Sequence, residues 1–144
     1  MKRELPPIAK AARRVLMVIE EAVTRFPRRH KYTLGADLRR ESMQVCRCVH
    51  RAWRERGRQL TRVHELATAL DDLKVSLQLG KDINAFGSFE EFEAIARIVS
   101  DLGRQVGGWL KALHSKGQNG QERSSPVQRA PILSSQTAPQ GATL

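Results

Sequence analysis

At 144 residues, 40% hydrophobic and 28% charged, the chain is long enough for one hydrophobic core and hardly for two. Its net charge of +10 is local, because residues 1–57 hold 15 Lys and Arg against 6 Asp and Glu, residues 58–116 hold 8 of each, and residues 117–144 hold 2 against 1. A basic stripe on an otherwise balanced domain is the footprint of a phosphate-binding surface, and with no apolar run approaching the roughly 18 residues of a membrane span the expectation is a soluble, cytoplasmic protein.

Residues 1–7 carry basic groups but no leader-type apolar stretch after them, since Lys10, Arg13 and Arg14 interrupt the apolar positions. Pro6 and Pro7 suit the first turn of a helix, and Ile8, Ala12, Val15, Leu16, Ile19, Val23 and Phe26 then recur at three- and four-residue spacing. Pro27 ends this first predicted helix or falls just past it. A basic loop over residues 28–32 leads to Thr33, which the sequence offers as an N-cap. The second predicted helix places Leu34, Leu38, Val45, Val49 and Ala52 on one face with Cys46 and Trp53 beside them, and Gly57 is expected to stop it. Leu60, Val63, Leu66, Leu70, Leu73 and Leu77 mark the third, with Gly80 as the expected left-handed residue after it.

A loop over residues 81–87 follows, and then Ser88 and Glu91 are spaced as a capping box, each side chain expected to satisfy the other residue's backbone N–H. Phe92, Ile95, Val99, Leu102, Val106, Leu110 and Leu113 give the fourth helix its stripe. Four stripes of similar length, with short first connections and no strand-like alternation, predict an all-α, antiparallel up-down four-helix bundle over residues 1–116. Residues 117–144 are rich in Gln, Ser, Pro, Ala and Gly without an apolar period, so a disordered, flexible low-complexity tail is expected there.

The second predicted helix carries the charge. Counted from Arg40, the residues Arg47, Arg51 and Arg54 stand at +7, +11 and +14, which puts all four on one side, opposite the apolar set that begins at Leu34. Arg58 joins them beyond the turn. Lys10, Arg13 and Arg14, with the loop residues Arg28, Arg29 and Lys31, extend the patch if the first two helices lie side by side. Guanidinium forks match phosphate oxygens, and the sequence holds too few acidic neighbours, Glu41 and Glu55, to neutralise this face. The expectation is nucleic-acid binding through backbone and shape. Aromatic residues are only 5% of the chain, and no helix-turn-helix, zinc finger or aromatic recognition strand is visible.

Other features have structural explanations. Gly107 and Gly108 inside the fourth helix each cost about 0.8–1 kcal/mol relative to Ala, which close approach of another helix or subunit anchored by Trp109, or a simple bend near the helix end, would explain. The corner from Phe26-Pro27 to Tyr32-Thr33-Leu34-Gly35 reads as apolar packing between helices. Cys46 and Cys48 are two residues apart on one helix and point in different directions, so neither a disulfide nor a zinc site with His30, His50, His64 or His114 is expected. No P-loop, GxGxxG, GxSxG or HExxH motif occurs, and Asp71, Asp72, Glu90, Glu91 and Glu93 have structural explanations, so the sequence argues against an enzyme and against any metal or cofactor.

Arg25-Phe26-Pro27, Lys31-Tyr32-Thr33-Leu34-Gly35 with Leu38, and Val106-Gly107-Gly108-Trp109-Leu110-Lys111 together resemble the accessory variability determinant (Avd) proteins of diversity-generating retroelements, and more widely the four-helix-bundle proteins encoded by intervening sequences in ribosomal RNA genes. The resemblance covers about residues 8–114 and implies a basic, non-enzymatic protein that assembles as a ring-like homopentamer. It implies association with the retroelement's reverse transcriptase and template RNA, in support of mutagenic cDNA synthesis. The alternative is an oligomeric scaffold of the intervening-sequence type whose basic face docks an acidic protein.

Overall fold

The structure, a computed structural model, describes residues 5–121, with side chains through Lys116. The described residues are helical, with no strand among them: α1 spans Pro7–Thr24, α2 Arg28–Lys31, α3 Leu34–Arg54, α4 Gln59–Asp82 and α5 Phe89–Gln121, with a 3-10 turn at Arg56–Arg58. One compact unit runs through Lys111, and residues 112–121 are the last part of α5. Residues 122–144, which include most of the expected tail, lie outside the described residues, and α5 passes the boundary expected at Gly117.

Each long helix buries the stripe its sequence marks. Val15, Ile19 and Val23 of α1, Leu38, Val45 and Val49 of α3, Val63, Leu66, Leu70 and Leu73 of α4, and Ile95, Val99 and Leu102 of α5 form the core. Burial of each such side chain is worth about 1.5–3 kcal/mol, far more than helix propensity supplies, so packing is what holds these helices. Leu60, expected in the stripe of α4, is 39% exposed at the helix start. The helix α3 touches both α1 and α4: Ala12 meets Cys46, Glu20 pairs with Arg39, Val23 crowds Gly35, and on the other side Ala52 and Glu55 bond Gln59 and Arg62.

The helix ends depart from the sequence expectations in informative ways. Pro7 does sit in the first turn of α1. The segment expected as a loop over residues 28–32 instead contains the helical turn α2, and Thr33 makes no capping bond, its hydroxyl lying 3.3 Å from the carbonyls of Arg29 and His30 behind it. Neither Gly57 nor Gly80 takes a left-handed conformation: Gly57 lies in the 3-10 turn, Gly80 lies inside α4, and the positive φ of 59° falls on Asn84. A side chain at Gly80 would put its Cβ 2.8 Å from Phe86, so this glycine serves close packing rather than termination. At the start of α5 the Glu91 N–H donates to Ser88 Oγ at 3.1 Å, as the capping box requires, but the Glu91 carboxylate accepts from the Gly87 N–H at 2.9 Å, one residue earlier than expected.

Candidate nucleic-acid interface

The buried positions of α3, namely Gly35, Leu38, Ser42, Val45, Cys48, Val49 and Ala52, occupy one side of the helix. At 100° per residue, Arg40, Arg47, Arg51 and Arg54 fall on the other side and span about 21 Å of helix axis. Arg40, Arg47 and Arg54 are exposed and Arg51 is half-buried. Arg58 is exposed at the end of the 3-10 turn.

The nearest carboxylates are engaged elsewhere. Arg40 donates to Asp37 at 2.8 Å, one turn earlier, and is the one member of the set that is ion-paired among the described residues. Glu55 accepts from Arg62 of α4 at 2.8 Å, and Arg62 also reaches Glu65. That hydrogen bond from Arg62, aided by the charges of Arg51 and Arg54, holds the Glu55 carboxyl below its ordinary range. Glu41 turns inward instead: burial pushes its carboxyl up, and Ser76 and Arg40 act against that. Among the described residues, therefore, Arg47, Arg51, Arg54 and Arg58 have no carboxylate at salt-bridge distance.

The adjacent helix adds to the field. Cys46 Sγ lies 3.4 Å from the Ala12 carbonyl oxygen, which brings α1 alongside the middle of α3. Burial pushes the Cys46 thiol up while Arg13 and Arg47 both act on it in the opposite sense, so these two cations flank the same point from different helices. Lys10 and Arg14 are exposed farther round α1. The loop cations are placed differently. Arg28 and Arg29 are exposed and Lys31 is half-buried in α2, which precedes the start of α3, about 30 Å of helix rise from Arg54. Two basic clusters result, one along the outer face of α3 with Arg13 and one at the α2 turn.

The corner residues divide in a way the sequence does not reveal. Phe26 is buried and packs edge-on against Phe86 at 5.1 Å, and Gly35 is hemmed in, a Cβ there standing 2.8 Å from Val23 and 3.3 Å from the His30 carbonyl oxygen. Tyr32, expected to pack, is 69% exposed. The signal lay in its neighbours: Arg28, Arg29, Gly35 and Ala36, three and four residues away, offer no large apolar partner. Gly107 and Gly108 are also exposed, and among the described residues nothing beyond the adjoining turns of their own helix comes within 4 Å of a Cβ built at either. Among the described residues, close approach of another helix therefore does not explain them, nor does a fraying end, because α5 continues to Gln121. Trp109 beside them is half-buried.

Among the described residues no group of three or more His, Cys, Asp or Glu is placed to hold a metal ion, and no helix is long and apolar enough to cross a membrane. The model of the bAvd-like family matches residues 8–113, about three quarters of the chain, and reaches into all four long helices. The chain belongs to the bAvd-like family. No curated protein matches it. The matched span of this bAvd-like chain takes in both basic clusters and the Gly107-Gly108-Trp109 segment.

Proposed function

We propose that this chain is a non-enzymatic, nucleic-acid-binding accessory subunit of a diversity-generating retroelement, acting in the cytoplasm with the element's reverse transcriptase and template RNA in mutagenic cDNA synthesis. The observation that carries the reading is the outer face of α3, where Arg47, Arg51 and Arg54 stand clear of the core without carboxylate partners among the described residues. Such guanidinium groups bind phosphate by charge and counterion release and need no base contact. Membership of the bAvd-like family supports the assignment to a retroelement. The four long helices are read as an up-down antiparallel bundle, a reading supported for α1 against α3 by the pairings of Ala12 with Cys46, Glu20 with Arg39 and Val23 with Gly35. A homo-oligomer, a pentamer by resemblance, is supported by Val75, Leu79 and Ile83, which recur at four-residue spacing at the end of α4 with exposures of 59%, 50% and 42%.

The test is RNA binding as a function of salt. The wild-type protein should lose affinity steeply as salt rises, and changing Arg47, Arg51 and Arg54 together to Ala should make the log–log slope shallower by about 2, at roughly 0.7–0.9 per lost phosphate contact. Salt-independent binding, or none, overturns the reading. A complex with a protein partner that survives nuclease treatment and carries no nucleic acid would point instead to an acidic protein on this face.

A further inference from the structure

The α2 turn is an unusual piece of surface. It is built from Arg28, Arg29, His30 and Lys31, follows Pro27 and ends on Tyr32. Its backbone is fixed by the N–H groups of His30 and Lys31, each donating to the Pro27 carbonyl oxygen at 2.9 Å. His30 turns inward, its Nε2 buried, while Arg28, Arg29 and Tyr32 are exposed. The fold explains the neighbours of Tyr32: Phe26 packs on Phe86, Leu34 lies against Gly80, and Gly35 admits Val23. It does not explain Tyr32, a large ring that leaves 69% of its surface in water on a turn held in place from both sides. No ion pair to Arg28 or Arg29 forms among the described residues, and the nearest carboxylates in sequence are Glu21 and Asp37.

We propose that Tyr32, with Arg28 and Arg29, forms a stacking platform for an unpaired base of single-stranded RNA, separate from the phosphate-binding face of α3. The inference rests on the nucleic-acid reading above and names the form of the ligand. An exposed aromatic ring beside guanidinium groups is the combination that holds single strands: the ring stacks on a base's π face while the cations take the flanking phosphates. Arg28, one turn before Tyr32, is the cation best placed to follow the strand past the ring. A duplex cannot use such a ring, because its bases are already stacked and paired. The α3 stripe, lacking any aromatic residue among Arg40, Arg47, Arg51 and Arg54, has no such preference between strands. The two clusters thus divide the work, one holding phosphates of either form and the other selecting an unpaired base.

The experiment compares the full-length wild-type chain with Tyr32→Ala, Tyr32→Phe and Arg47→Ala/Arg51→Ala/Arg54→Ala, using a fluorescent uridine 20-mer and a blunt-ended RNA duplex, which has no unpaired base. Tyr32→Ala should weaken the single strand about tenfold, leave the duplex unchanged and keep the salt slope, since no charge is lost. Tyr32→Phe should bind as wild type, because the ring rather than the hydroxyl makes the contact. The arginine triple variant should weaken both RNAs. Irradiating a 5-iodouridine version of the 20-mer should attach it to Tyr32, as located by mass spectrometry. If the wild-type chain binds both RNAs and Tyr32→Ala binds the single strand equally well, the platform is overturned while the broader reading stands. Equal weakening of single strand and duplex by Tyr32→Ala also overturns it. If the wild-type chain binds neither RNA, both readings fall.

Discussion

Two glycine-containing segments carry much of this chain's family likeness, and the structure treats them in opposite ways. At the corner between α1 and α3, Gly35 has no room for a methyl group, and Phe26, Phe86 and Phe92 close around the junction with ring separations of 5.1 and 5.6 Å. On α5, Gly107 and Gly108 face open space. The first segment is accounted for by the chain's own packing. The second costs helix stability and gains no packing among the described residues, which points to another molecule or to function.

Mutations can sharpen or break that contrast. Phe26→Ala should have the largest effect, destabilising the protein by about 3–5 kcal/mol in denaturant melts, because a buried ring leaves a cavity beside Phe86. Gly35→Ala should cost less, a net loss of about 1–2 kcal/mol, as overpacking against Val23 and the His30 carbonyl outweighs the gain in helix propensity. Gly107→Ala and Gly108→Ala should act with the reverse sign, each raising the stability of the dissociated chain by about 0.8–1 kcal/mol in calorimetry. The same two variants should reduce the assembled fraction in light scattering if the open glycines admit a neighbouring subunit. A loss of stability in the separated chain would break the contrast.

The smallest effect concerns Glu91, which clamps the corner. Desolvation pushes its carboxyl up, but Arg25 and the Gly87 N–H together outweigh this and hold it below the ordinary carboxylate range. A depressed carboxyl contributes stability that is present above its unfolded pKa, near 4.5, and is lost as the pH falls through the lower folded value. Glu91→Gln should therefore lower the melting temperature slightly at pH 7 and flatten its decline below about pH 4.5, as read from thermal melts across pH.

The four long helices were legible because their stripes are long and regular: Leu38, Val45, Val49 and Ala52 needed only the helical period to be placed inside. Helix ends were less so. Glycine at Gly80 satisfies both a terminating and a packing role in sequence, and only the position of Phe86 decides between them. The arginine face of α3 could be read directly, since a helix whose inner side is fixed fixes its outer side too. That Arg40 is tied to Asp37 depends on rotamers, and that the α2 cations form a separate cluster depends on helix rise, neither of which composition records. Tyr32 was misjudged because an aromatic residue beside Phe26-Pro27 looks like packing until the chain's path is known.

The two cysteines give the chain a practical property. Cys46 is half-buried against α1 and Cys48 is buried, and in both burial pushes the thiol upward against the nearby arginines. Because the thiolate is the reacting form, both should be slow toward maleimides at neutral pH. A single cysteine introduced at exposed Arg54 or Arg28 would then take a fluorescent label ahead of them in the otherwise native sequence. Each basic cluster can carry its own reporter, so which one an incoming strand touches first becomes a question of kinetics.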